Sequence, residues 1–243
     1  MTRRVDVHPT PDALAEAAAA LLLTRLAAAQ AERGSASLAL TGGRTGIAVL
    51  ERVRDSPARS SVDWSAVDIY WGDERFLPAG DPERNETQAR AALLDHIPVD
   101  PARVHPMPPS DGDFGDDPDA AAAAYAAVVE GKLAFDVHLV GVGEEGHTLS
   151  VFPDSPAVHE TERTVVAVRD CPKPPPTRVS LTLTAARQSR EVWLMTTGAN
   201  KAEPVAAALA GASEVDIPAA GARGKDLTLW LLDTDAAAGR RNG

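Results

Sequence analysis

The chain has 243 residues, enough to bury a full core in one large α/β unit or two small ones. Hydrophobic residues make up 44% and aromatics 4%, which excludes a disordered chain and requires a core built mainly of Ala, Leu and Val. Lys plus Arg number 24 against 35 Asp plus Glu, and the net charge of −11 argues against non-specific binding to nucleic acid or an anionic membrane.

An anionic small molecule stays open, because two or three placed cations and a few backbone N–H groups suffice for one phosphate. Cys171 is the single cysteine, so no intramolecular disulfide forms, in keeping with a reducing cytosol. No apolar stretch precedes Asp6 after Arg3 and Arg4, so no secretory signal is expected. No apolar run approaches membrane-spanning length.

In chain order, Thr10-Pro11-Asp12 opens a helix, with Thr10 as N-cap and Pro11 at the first helical position. It runs through an Ala- and Leu-rich segment to Arg33, and Gly34 ends it. Ser37 to Leu40 reads as a strand leading into Thr41-Gly42-Gly43-Arg44-Thr45-Gly46, and Ile47 to Val53 reads as a helix. That turn can cradle phosphate at a helix N-terminus or be a plain tight turn. It is neither a Walker motif nor GxGxxG.

Val67 to Trp71 reads as the second strand and ends in Gly72-Asp73-Glu74-Arg75. These charges mark either a ligand edge or a solvated cluster. Asn85 to Leu94 reads as a helix. Pro98 to Pro118 reads as a connecting loop in which His105 is a loop residue. A helix over 119–132 leads to the strand that begins FDVHLVG at Phe135.

That strand breaks into Gly141, Gly143, Glu144, Glu145, Gly146 and His147. A histidine beside carboxylates at a strand's carboxyl end sits where open α/β sheets bind ligands. Imidazole can serve as a base near neutral pH, with a carboxylate holding its tautomer. The competing reading is an ordinary loop histidine. Val165 to Val168 and Arg178 to Leu183 read as strands flanking the turn CPKPPPT. Glu191 to Thr196 is another, leading through Thr197-Gly198-Ala199-Asn200-Lys201 to a helix from Ala202 to Leu209. Asp226 to Leu232 reads as the last strand, and the polar tail from Asp233 is expected to fray.

Strands alternate with helices throughout. The expected fold is therefore α/β: an open, mostly parallel, Rossmann-like sheet with helices on both faces, as one domain over residues 1–243. Four strand-end turns carry polar groups of two kinds. His147 with Glu145, and Asp73, suit a base and its orienter. The Gly42 and Gly43 amides, Arg44, Arg75, Arg178 and Lys201 suit an anion. The six histidines are scattered and neither HxH nor HExxH occurs, so metal binding is poorly supported. A serine nucleophile is equally unsupported, because no GxSxG is present.

At this point a resemblance becomes specific. LTGGRTG (40–46), WGDERFLP (71–78), DPERNETQAR (81–90), GVGEEGHTLSVFP (141–153), RVSLTL (178–183) and GANKA (198–202) resemble, in order and spacing, the motifs of 6-phosphogluconolactonases. The resemblance implies the glucosamine-6-phosphate deaminase/ribose-5-phosphate isomerase/CoA transferase-like type of fold. It implies hydrolysis of a phosphorylated sugar lactone in the oxidative pentose phosphate pathway. The implied enzyme is cytoplasmic, a monomer or weak homodimer, and needs no cofactor or metal.

Carried over by position, His147 matches the general base that activates water. Glu145 stands where an orienting Asp is usual and is one methylene longer. Asp73 and Arg75 match the polar pair beside the sugar ring. Gly42, Gly43, Arg178 and Lys201 match the phosphate positions, and Arg44 and Thr45 match the first turn. Gly46 stands where the family often has proline, which is expected to loosen that turn. Lys225 is expected outside the site. The rivals are an aldose–ketose isomerase or deaminase using Asp73 as base, and a non-catalytic sugar-phosphate sensor. A deaminase typically shows DEY in place of DER.

Overall fold

The computed structural model describes residues 2–239. Six parallel strands form the main sheet: β1 (Thr2–His8), β2 (Ala36–Leu40), β3 (Val67–Trp71), β5 (Val137–Gly141), β8 (Glu191–Thr196) and β9 (Leu227–Asp233), in the order β1-β9-β8-β5-β2-β3. The interior strands carry almost continuous apolar runs, the pattern of strands covered on both faces. Six helices accompany the strands among the described residues: α1 (Pro11–Arg33), α2 (Gly43–Asp55), α3 (Asn85–Ala92), α4 (Pro118–Val129), α5 (Leu183–Ala186) and α6 (Ala202–Leu209).

α1 starts as its sequence dictates. Thr10 Oγ1 accepts the Ala13 N–H at 3.1 Å, and Gly34 closes the helix in the left-handed region at φ +78°. Its buried stripe is Leu14, Ala15, Ala18, Ala19, Leu22, Leu23, Leu26 and Ala29.

A second sheet of three antiparallel strands stands beside the first: β4 (Asp73–Arg75), β7 (Arg178–Leu181) and β6 (Val165–Val168), in the order β4-β7-β6. Gly72 joins the two sheets. Its N–H donates to Leu40 O at 2.9 Å, and its carbonyl accepts the Leu181 N–H at 2.8 Å.

The expectation of an α/β alternation holds for the main sheet and misses the small one. Only residues 169–177 separate β6 from β7, too few for a helical crossover, so that pair has to be antiparallel. β1 is also absent from the sequence reading. It is an edge strand whose apolar residues are only Val5 and Val7, set among charges. α2 starts four residues earlier than expected, inside the glycine turn. RVSLTL ends as a strand at Leu181, because Thr182 Oγ1 accepts the Ala185 N–H at 3.2 Å and caps α5. The segment after Asp233 does not fray where it is described. The Asp233 carboxylate accepts the N–H groups of Gly198 at 3.0 Å and Ala236 at 2.7 Å. The last four residues of that tail lie outside the described part.

Candidate active site

β8, β5, β2 and β3 are consecutive neighbours in the main sheet, so their carboxyl ends deliver four turns to one edge. These are Thr41–Gly46, Gly72–Arg75, Gly141–His147 and Thr197–Lys201. Between them lies a cleft of about 190 Å³ whose walls include Gly42, Gly43, Asp73, Arg75, Asn85, His147, Lys173, Arg178 and Lys201. Lys225 precedes β9 at the opposite end of the sheet, where its N–H donates to Ser189 O.

The first turn becomes the start of α2. Gly43 has φ +79°, a conformation open to glycine, and Gly42 leaves the helix without a side-chain cap. The uncapped N–H groups of a 13-residue helix thus face the cleft. Gly46 lies buried against Thr41, where a Cβ would stand 2.8 Å from the carbonyl oxygen, so α2 seats closely on the end of β2. Arg44 and Thr45 line an adjoining lobe of about 170 Å³ and do not reach the cleft beside His147. Thr45 Oγ1 lies 3.2 Å from Thr197 Oγ1 across that lobe.

Strand alternation explains the Asp-Glu-Arg segment. Asp73 and Arg75 point to one side of β4 and Glu74 to the other. Asp73 is buried and its Oδ2 accepts from Ser150 Oγ at 2.7 Å. Arg75 donates to Asn85 Oδ1 at 2.6 Å and to Glu83 O at 3.0 Å. Asn85 Nδ2 in turn donates to Asp73 O at 2.8 Å. Glu74 accepts the N–H groups of Arg75, Asn85 and Glu86 and lies 3.7 Å from the fully buried Arg84. Burial pushes its pKa up to about 7, against the pull of Arg84 and those three donors. This cluster is a buried scaffold, contrary to the solvated reading.

Arg178 stands opposite Arg75 in the β4–β7 register. It donates to the carbonyls of Pro175 at 2.9 Å and of Lys173 and Pro174 at 3.2 Å. Two guanidinium groups facing each other cost energy that a bound anion offsets. Burial lowers the pKa of Arg178, and burial followed by Lys173 lowers that of Lys201.

His147 closes the cleft from the β5 turn. Its ring stacks on Phe152 with centroids 4.4 Å apart. Nδ1 lies 3.1 Å from Glu145 Oε2, though the pair is not aligned as a hydrogen bond. Glu145 does not line the cleft itself. It sits behind the ring, and its Oε2 is also 3.1 Å from Lys173 Nζ. Burial lowers the His147 pKa below its usual 6.5, and Glu145 opposes the shift. The Glu145 carboxyl is raised by burial, but its own backbone N–H, His147 and Lys173 outweigh that and leave it below the usual range. A neutral imidazole next to a carboxylate, facing a group of cations, can move a proton beside a bound anion.

Two residues of this cleft, and a third buried behind Asp73, were not singled out as site residues from the sequence. Lys173 is the one cation of the turn CPKPPPT, which read as a turn only. Asn85 was legible as part of a motif, without a role. Ser150 became visible only through its bond to Asp73. Among the described residues, no group of three or more His, Cys, Asp or Glu gathers to hold a metal ion. No helix among them is long and apolar enough to cross a membrane.

The parallel sheet with four turns gathered at its carboxyl edge defines the class as an open α/β fold with a ligand edge. A structure described as a monomeric glucosamine-6-phosphate deaminase shares that fold at a TM-score of 0.82 and 22% identity, covering 98% of this chain and 100% of its own. The chain belongs to the family of glucosamine-6-phosphate isomerases/6-phosphogluconolactonase, whose model matches residues 9–230. A 6-phosphogluconolactonase of Streptomyces coelicolor is 57% identical over 245 residues, covering 97% of this chain and 94% of that protein. One from Mycobacterium tuberculosis is 52% identical over 245 residues and 98% of both chains. The solved 6-phosphogluconolactonase of Trypanosoma brucei aligns at a TM-score of 0.83 and 29% identity over 98% of each chain.

Proposed function

We propose that this chain hydrolyses 6-phospho-D-glucono-1,5-lactone to 6-phospho-D-gluconate, with His147 as general base. The observation that carries the reading is a half-buried histidine, shifted toward its neutral form, in a cleft shared with Arg75, Lys173, Arg178 and Lys201. It is supported by relatives at more than half identity that bear the lactonase name.

In this reading, the Gly42 and Gly43 amides, Arg178 and Lys201 hold the phosphate, and Arg44 and Thr45 shape the adjoining lobe. Anchoring the remote phosphate fixes the lactone carbonyl beside the base, so binding energy serves orientation. Neutral His147 takes a proton from water as the oxygen attacks the carbonyl. Glu145 steadies the imidazolium that forms, and Asp73 and Arg75 flank the ring, with Arg75 or a turn amide facing the developing oxyanion. The imidazolium then returns its proton to the departing ring oxygen. No cofactor or metal enters. In the same reading residues 1–243 form one cytoplasmic domain that acts as a monomer or weak homodimer.

The test is hydrolysis of freshly made lactone in D₂O, followed by NMR with the spontaneous reaction subtracted. A lactonase accelerates ring opening and leaves the C2 proton in place. Deuterium entering at C2 of an aldose 6-phosphate offered in parallel points to an isomerase using Asp73, and no acceleration of lactone opening over background rejects the reading.

A further inference from the structure

We propose that Lys173 is a positioning residue for His147 that acts through Glu145: its ammonium holds the long Glu145 side chain so that Oε2 faces Nδ1. The inference rests on the reading of His147 as the working base. Three observations carry it.

Glu145 Oε2 lies 3.1 Å from His147 Nδ1 and 3.1 Å from Lys173 Nζ, so one oxygen bridges the two. The carboxylate needs such a hold. Glutamate has one more rotatable bond than aspartate, and neither contact of Oε2 is aligned as a hydrogen bond, so what places the oxygen is its ion pair with Lys173 at 3.1 Å.

The lysine is held from behind. Pro172 precedes it, and Pro174, Pro175 and Pro176 follow, which fixes φ along the turn. The Lys173 carbonyl accepts from Arg178 Nη2 at 3.2 Å, tying the turn to β7 and the floor of the cleft. A stiff turn thus delivers one cation to the cleft wall beside Glu145.

The charges around the ring are also consistent with an indirect role. Glu145, Lys173 and Asp73 are the charged groups acting on His147. A lysine acting alone disfavours the imidazolium that catalysis must form. Paired with Glu145, it keeps in place the carboxylate that favours it. Nδ1 then carries the proton toward Glu145, which leaves Nε2 as the ring nitrogen free to accept one.

The test pairs kinetics with a readout that needs no substrate. Lys173→Met should lower kcat by about 10-fold, the loss expected for one contact to a charged group, with KM little changed. Lys173→Arg should restore most of the loss. In a Glu145→Gln background, Lys173→Met should cost nothing further, because both changes break the same chain. Nitrogen NMR of His147 in the substrate-free protein should show the Nδ1–H tautomer in the wild type. It should show a shift toward Nε2–H in Lys173→Met. Additive losses confined to KM would make Lys173 a direct substrate contact and overturn the proposal, as would an unchanged tautomer. If the wild type lacks lactonase activity while the tautomer still responds to Lys173, the positioning role stands and the proposed function falls.

Discussion

Gly143 and His147 occupy the same space: a Cβ built on Gly143 would lie 1.9 Å from His147 Nδ1 and 2.8 Å from Glu145 Oε2. The missing side chain is what lets the imidazole fold back over its own turn. Gly143→Ala must therefore push the ring away from Glu145 and off Phe152. A shift on the order of 1 Å at a reacting group costs about 10²-fold, so kcat should fall at least that far. Overpacking should cost about 1–3 kcal/mol of stability as well. Steady-state kinetics with a thermal melt check both, and an alanine variant of full activity contradicts the placement.

Arg75 is aimed by Asn85, which bonds both its guanidinium and the Asp73 carbonyl. Asn85→Ala should loosen the cation facing the ligand and raise KM more than it lowers kcat. Lys201→Ala and Arg178→Ala should raise KM by about 10- to 100-fold each, the range for a charge-assisted hydrogen bond. Lys225→Ala, at the far end of the sheet, should leave both constants unchanged.

The pH dependence follows from the same geometry. The neutral form of His147 is the base, so kcat/KM is lost as pH falls through its pKa. Burial places that pKa below 6.5, and the acid limb should lie there. Glu145 raises the pKa against burial, so Glu145→Gln should move the limb to still lower pH. A pH–rate profile decides it, and a limb above 6.5 would contradict the assignment.

Much of this site was legible in the sequence because glycine and charge cluster at strand ends. Thr41 to Gly46, Asp73, Arg75, His147 and Lys201 all sit where a strand stops, and a parallel sheet brings such stops to one edge. What stayed hidden depended on pairing. Nothing local in RVSLTL says that Arg178 faces Arg75 across an antiparallel ladder, or that Asp73-Glu74-Arg75 is itself a strand. Lys173 was hidden for a related reason: prolines mark a turn but not what the turn leans on. β1 escaped because an edge strand needs few apolar residues, and Asp233 because its carboxylate caps a turn distant in sequence.

His138 gives a prediction about stability. It is fully buried, Nδ1 lies 3.3 Å from Ser189 Oγ, and Nε2 has no partner. Burial pushes its pKa from 6.5 down to about 3. The folded state thus keeps it neutral while the unfolded chain protonates, so its contribution is present above 6.5 and lost as pH falls. The slope is about 1.4 kcal/mol per pH unit for one such group. His138→Gln should flatten the fall of Tm on acidification. An unchanged acid slope would show that other groups set it.

The most direct measurement is kcat of His147→Ala on 6-phospho-D-glucono-1,5-lactone, with binding of 6-phosphogluconate measured in parallel. A fall of about 10²–10⁴ in kcat with product binding retained is expected, the range for removing a general base. An unchanged kcat with binding intact would contradict it.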